Sequence, residues 1–265
     1  MKTLALALAL AIAHAATIPA AAADLADVTA RGTLRVIVMP LSATDEFFPV
    51  PPGPRPGFDR EVLDGFVGLH RIKLVVVPVE GWDNLVPALL QGRGDLIAGR
   101  FTVTDARLKQ IAFTSEVFPT RNVVMTRRPH ARVQTLEALR QEKVGTIKGS
   151  SMAEAVRAVV PAPNVDDSFP PGGLPAALTA GKVSAIVLGI ESAIAAQRED
   201  AQIELGAFVG PPGSLAYGVR KEDTALLKAL NEYIDNVRRT PTWSRLVVEY
   251  FGSSAPEILR KARAN

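Results

Sequence analysis

A strand–helix–strand alternation that runs through once and then starts again is the feature that most limits how this chain can fold. Residues 33–39 (Thr-Leu-Arg-Val-Ile-Val-Met) read as a strand, and residues 60–69 as a short helix carrying Val62, Leu63, Phe66 and Leu69 on roughly one face. Residues 73–79 are a β-branched strand. Residues 83–90 are a helix stopped by Gly92, with Pro87 in about its first turn, where a missing N–H costs little. Residues 95–98 are a strand again. This βαβαβ order argues for an α/β architecture with mostly parallel sheets.

The second unit opens with a short β segment at residues 122–126, a helix at 135–140 and a strand at 143–147. Ser151-Met152-Ala153-Glu154 has the spacing of a capping box before a helix to about Val159. Residues 174–180 are a helix ended by Gly181, residues 184–188 a strand of buried type, and residues 216–219 a further strand. Residues 223–238 form a long amphipathic helix, and Thr240-Pro241 supplies a cap and a first-position proline for a helix to Tyr250. No sequence repeat accompanies the restart. Proline and glycine cluster at 49–57, 161–173 and 210–213, which read as loops.

Residues 1–23 hold Lys2, a Leu/Ala/Ile run and a closing Ala20-Ala21-Ala22-Ala23. This pattern predicts a secretory signal peptide, cut after Ala23 or, as the alternative, after Ala15. The run is too short and too alanine-rich for a membrane span, and the mature protein is expected to be soluble. Its removal leaves 242 of 265 residues, enough for one large domain or two modest ones. The chain has no cysteine, which excludes disulfides, a thiol nucleophile, thiolate metal sites and a lipid-anchored cysteine. A hydrophobic content of 48% can supply the core instead. The net charge of +3 is too small to argue for nucleic acid. His70 and His130 stand apart, and Gly92-Arg93-Gly94 precedes a strand rather than following one, so neither a metal nor a cofactor is expected.

The segment Arg100-Phe101-Thr102-Val103-Thr104-Asp105-Ala106-Arg107 combines two hydroxyls and a guanidinium where a strand becomes a helix. Thr104 can cap that helix, with Arg107 three residues on in its first turn. A positive helix start, hydroxyls and a forked cation together suit a carboxylate. An ordinary capped helix with a surface arginine fits the same residues.

Short motifs in a fixed order then carry a resemblance. They are Gly32-Thr33-Leu34-Arg35-Val36, Gly57-Phe58-Asp59, Trp82-Asp83-Asn84-Leu85-Val86-Pro87-Ala88-Leu89, Gly92 through Asp95, Thr102 through Arg107 with Phe113-Thr114, Val144-Gly145 with Lys148-Gly149-Ser150, Leu178 through Gly181, and Tyr217-Gly218-Val219 with Lys221. From about Gly32 to Gly252 the chain resembles family 3 solute-binding proteins, periplasmic receptors of amino-acid ABC importers. The resemblance implies two α/β lobes joined by a two-strand hinge, with lobe 1 at 24–121 plus 217–265 and lobe 2 at 122–216. It also implies a small carboxylate-bearing ligand in the cleft, ABC transporter membrane subunits as partners, a periplasmic location and a monomer.

By the same resemblance Arg107 binds the ligand carboxylate, Thr102 adds a hydroxyl or amide contact, and Trp82 lines the cleft. Phe47 or Phe48 is an aromatic lid, and Ser150 and Ser151 meet the carboxylate from lobe 2. Core packing for Trp82 and the phenylalanines, and simple capping for the serines, are the plainer readings. Two positions depart from the family pattern. Gly189 stands where many relatives carry an ammonium-binding aspartate, with Glu191 two residues on, and Arg100 replaces a small residue beside the pocket. These changes suggest a ligand more anionic than a standard α-amino acid, or one lacking the amine. Two alternatives resemble other members of the scaffold: a cyclohexadienyl-dehydratase-like enzyme with Glu191 as general acid, and an accessory protein of a periplasmic quinoprotein dehydrogenase docking through the 49–54 loop.

Overall fold

A computed structural model describes residues 24–263, so the signal peptide expected at 1–23 lies outside the described residues. The chain runs α1 (Leu25–Arg31), β1 (Thr33–Val38), α2 (Phe58–Leu69), β2 (Lys73–Pro78), α3 (Trp82–Leu90), β3 (Leu96–Ala98), α4 (Asp105–Leu108) and β4 (Ala112–Phe113). It continues through β5 (Phe118–Arg127), α5 (Leu136–Leu139), β6 (Val144–Gly145), α6 (Ser151–Arg157), β7 (Val165–Asp166), α7 (Leu174–Thr179), β8 (Ala185–Gly189), α8 (Ile190–Glu199) and β9 (Ile203–Leu215). It closes with β10 (Gly218–Val219), α9 (Thr224–Arg239), α10 (Pro241–Phe251) and α11 (Ala255–Arg263). No helix among the described residues is long and apolar enough to cross a membrane.

The strands build two mixed sheets, β2-β1-β3-β10-β4 and β7-β6-β8-β5-β9. In each, the α-crossovers produce a parallel trio: β1 lies between β2 and β3, and β6 lies between β7 and β8. The remaining ladders are antiparallel, made by the strands that carry the chain between sheets. Thr114 donates its N–H to the Tyr217 carbonyl (2.9 Å), Val117 donates to the Leu215 carbonyl (2.9 Å), and Tyr217 donates to Thr114 Oγ1 (3.0 Å). Those bonds stitch the outgoing and returning segments into a two-strand hinge.

Several boundaries differ from the sequence reading, each for a local reason. α2 begins at Phe58 on Gly57, and Pro87 sits inside α3 beyond its first turn. β5 starts at Phe118 rather than 122. β9 runs through Gly210-Pro211-Pro212-Gly213, which the sequence marks as a loop; as a sheet edge it tolerates proline and bulges. α8 has no capping side chain to announce it. α11 packs on β5 and α8.

Phe47, Phe58, Phe118 and Phe251 form one aromatic knot at the hinge, with ring centroids 4.8–6.0 Å apart. Phe47 and Phe48 are both buried in the core. The aromatic lid expected at one of them is therefore absent from both. An apolar pair beside prolines suits a core as well as a cleft, and here the knot claims Phe47.

Asp59, buried in α2, fixes the end of β3. Its Oδ2 accepts the N–H groups of Gly99 (3.1 Å) and Arg100 (3.3 Å), and Tyr217 Oη lies 3.3 Å from its Oδ1. Burial raises its pKa from 3.8 to about 7, against those hydrogen bonds, which favour the charged form. The native state thus holds this proton more tightly than the unfolded chain does. The contribution of Asp59 to stability falls as pH rises from about 4 to about 7. Asp59→Asn should remove that slope, worth at most about 1.4 kcal/mol per pH unit in urea unfolding. A wild-type-minus-variant difference that stays flat across the window would contradict the assignment.

Candidate ligand cleft between the two sheets

The residues after β3 set the geometry. Gly99 (φ 82°) and Arg100 (φ 60°) both take left-handed backbone, which for arginine costs on the order of 1 kcal/mol. This turn throws the Arg100 side chain toward the loop after β1 and the start of α8. Phe101 and Thr102 follow, and the Thr102–Val103 backbone joins the end of β9 through the Thr102–Leu215 bridge and the Val103 N–H bond to the Ser214 carbonyl (2.9 Å). Thr104 caps α4, its Oγ1 accepting the Arg107 N–H at 3.4 Å. α4 spans four residues, so its dipole adds little. What fixes the Arg107 guanidinium is stacking over the Phe101 ring at 4.1 Å and a bond from Nη1 to the Thr102 carbonyl at 2.7 Å.

The second sheet supplies the facing wall. Ser150, not Ser151, is the N-cap of α6: its Oγ accepts the Ala153 N–H (3.1 Å) and donates to the Ile147 carbonyl (2.6 Å). The capping-box spacing starting at Ser151 is thus displaced by one residue. That frees Ser151, whose Oγ donates across the cleft to Thr102 Oγ1 at 3.1 Å. Thr120 in β5 donates to Glu191 Oε2 at 2.8 Å, at the start of α8.

These walls enclose a cavity of about 50 Å³ for the centre of a water-sized sphere, room for a few waters. Trp82, Arg100, Thr102, Arg107, Ser150, Ser151 and Glu191 border it, and Phe47 and Phe48 do not. Thr120, Asn122, Met152 and Ser192 also line it. Sequence reasoning missed these four and Leu215, which borders it too. The sequence reading starts the strand after Thr120, and nothing local marks Asn122, Met152 or Ser192. Trp82, on the wall, has a buried indole N–H without an acceptor among the described residues.

The two departures from the family pattern meet here. A Cβ added to Gly189 would stand 2.3 Å from Glu191 Oε1, so the Glu191 carboxyl fills the space that a side chain at 189 would take. Burial raises the Glu191 pKa, while Arg100 and the Thr120 hydroxyl pull it back. Arg100 is bound by Asp45 (2.9 Å) and Glu46 (2.6 Å), with Glu191 at 3.9 Å, a hydrogen bond to Ser192 Oγ, and the Phe47 ring face at 4.7 Å. Burial works against its charge, but the three carboxylates outweigh it and raise its pKa. Arg100 is therefore a neutralised cation, not a spare positive charge. Arg107 is the opposite case. Burial lowers its pKa to about 10, only partly offset by Glu154 and Asp83, and no salt bridge to it occurs among the described residues.

Gly189→Ala should force the Glu191 carboxyl off Thr120 and Arg100, at a cost of about 1–3 kcal/mol in urea or thermal unfolding. In a Glu191→Ala background most of that cost should vanish. An equal cost in both backgrounds would show that the two residues do not compete for this space.

Comparison with known proteins places the arrangement. Residues 42–253 match the family model for bacterial extracellular solute-binding proteins, family 3. A probable histidine-binding protein of Campylobacter jejuni is 25% identical over 199 residues, covering 73% of this chain and 76% of that protein. An amino acid ABC transporter substrate-binding protein from Streptococcus pneumoniae, solved with L-arginine bound, superposes with a TM-score of 0.76 at 20% identity, covering 87% of this chain and 99% of that one. An ancestral amino acid-binding protein described as a precursor of cyclohexadienyl dehydratase gives a TM-score of 0.73 at 22% identity, covering 85% and 98%. The match spans most of the chain, and the chain belongs to the bacterial extracellular solute-binding proteins, family 3.

Proposed function

We propose that this protein captures a small carboxylated solute, an amino acid or related organic acid, in the cleft and delivers it to the membrane subunits of an ABC importer from the periplasm. The observation that carries this reading is Arg107: a buried guanidinium, held rigid by Phe101 and Thr102, without a carboxylate partner among the described residues. A guanidinium so placed offers a carboxylate two parallel charge-assisted hydrogen bonds, a geometry lysine lacks. The Thr102 and Ser151 hydroxyls satisfy each other across the cleft at 3.1 Å, and each can turn to the incoming oxygens.

Lobes at 24–121 plus 217–265 and at 122–216 would close on the solute about the hinge. The small cavity suits such a mechanism, because a ligand larger than a few waters enters only as the walls part. Relatives named for histidine and arginine binding support an amino-acid-like ligand for this chain. Glu191 faces Arg100 and Thr120, which suits the role of an internal counter-ion better than that of a dehydratase acid.

A thermal-shift screen of acidic and neutral L-amino acids, keto acids and aromatic carboxylates should find a stabilising ligand. Calorimetry with that ligand should then show Arg107→Ala weakening affinity by roughly 2–5 kcal/mol, with Arg107→Lys restoring only part. Unchanged affinity in Arg107→Ala would refute the site. Turnover of prephenate or arogenate would replace the transport reading with the enzymatic one.

A further inference from the structure

Arg100 is treated by its surroundings as a bound ligand would be. Its guanidinium is gripped by Asp45 from one nitrogen and Glu46 from another, hydrogen-bonded to Ser192, approached by Glu191, and laid on the Phe47 ring. Asp45 and Glu191 are almost wholly buried as side chains. Asp45 itself is anchored, its Oδ1 accepting the N–H groups of Phe47 and Phe48 at 2.8 Å each. Three carboxylates and an aromatic face around one cation exceed what a structural arginine needs.

Position matters as much as pairing. Arg100 borders both the 50 Å³ cavity at Arg107 and a second cavity of about 220 Å³ bounded by Asp45, Glu46 and α8 residues from Ser192 to Glu199. Trp82, Met152 and Ser192 border both as well, so the guanidinium forms the wall between the cavities together with these three side chains. Removing it would join the two spaces into one slot, with a cation at Arg107 and a carboxylate nest at the far end.

We infer that Arg100 is a built-in cation that occupies the acidic end of the cleft and bars ligands carrying a guanidinium or ammonium side chain, so that deleting it turns the cleft into a receptor for basic amino acids. This specificity role rests on the cleft being the ligand site; the nest around Arg100 does not. Exclusion comes from volume and from charge: the nest is full, and its carboxylates are already paired. Arg100→Gly suits the test, since the position has φ 60° and glycine adopts it freely.

Purified wild type and Arg100→Gly are compared by thermal unfolding and calorimetry, with methylguanidinium, L-arginine and, as an ionic control, tetramethylammonium. The variant should be stabilised by millimolar methylguanidinium but not by the control, and should bind L-arginine at least ~30-fold more tightly than wild type. If methylguanidinium stabilises it but L-arginine binds no better than methylguanidinium, the nest and its plug stand and the carboxylate role of Arg107 fails. A folded variant indifferent to methylguanidinium overturns the inference, as does wild type that binds L-arginine as tightly as the variant. Should Arg100→Gly be unfolded alone, methylguanidinium, which restores the missing group to the nest, should recover the fold. Failure of that rescue counts against the inference.

Discussion

The left-handed turn at Gly99-Arg100, held by the buried Asp59 carboxyl, is the constraint on which the cleft depends. Of the two successive residues at positive φ, glycine takes the conformation freely and Arg100, with its long charged side chain, carries the cost. Asp59 offsets this with two hydrogen bonds from consecutive N–H groups. The turn sends Arg100 one way, to the carboxylates, and lets Phe101 and Thr102 run the other way to support Arg107 and pair with the end of β9. A different backbone here would misplace both cations and the hinge contact at once.

The result is a cleft with two arginines in opposite electrostatic states. Arg100 has more anionic partners than it needs, and Arg107 has none in salt-bridge range among the described residues. On the proposed reading a carboxylate is drawn to one end only, while the other end is closed to cations. The sequence suggests a more anionic ligand because Gly189 removes a negative charge and Arg100 adds a positive one. The proposed role of Arg100 gives a similar preference by another route: its charge is already met by carboxylates, so it would exclude cations and attract no further anion.

Much of the fold was legible because β-branched strands and amphipathic helices alternate, and burial enforces those periodicities. What escaped reading had no local signal. β9 contains the Gly-Pro-Pro-Gly run that marks a turn elsewhere, and only its place at a sheet edge makes it a strand. α8 begins on a glycine without a capping side chain. In the cleft, the family resemblance named Arg107, Thr102, Ser151 and Trp82, and all four line the same cavity. The partners of Arg100 were invisible, since Asp45, Glu46 and Glu191 are 55, 54 and 91 positions distant and only the tertiary fold unites them. Phe47 shows the converse limit: the family resemblance implied a lid at Phe47 or Phe48, and packing at the hinge uses the Phe47 ring for the core and for Arg100.

A crystal structure of the protein with a stabilising carboxylate bound tests the central claim most directly. Both ligand oxygens should lie about 2.7–2.9 Å from the Arg107 guanidinium, with the Thr102 or Ser151 hydroxyl turned toward them and Arg100 still in its nest of carboxylates. A carboxylate seated on Arg100 with Arg107 untouched, or one bound outside the cleft, would contradict it.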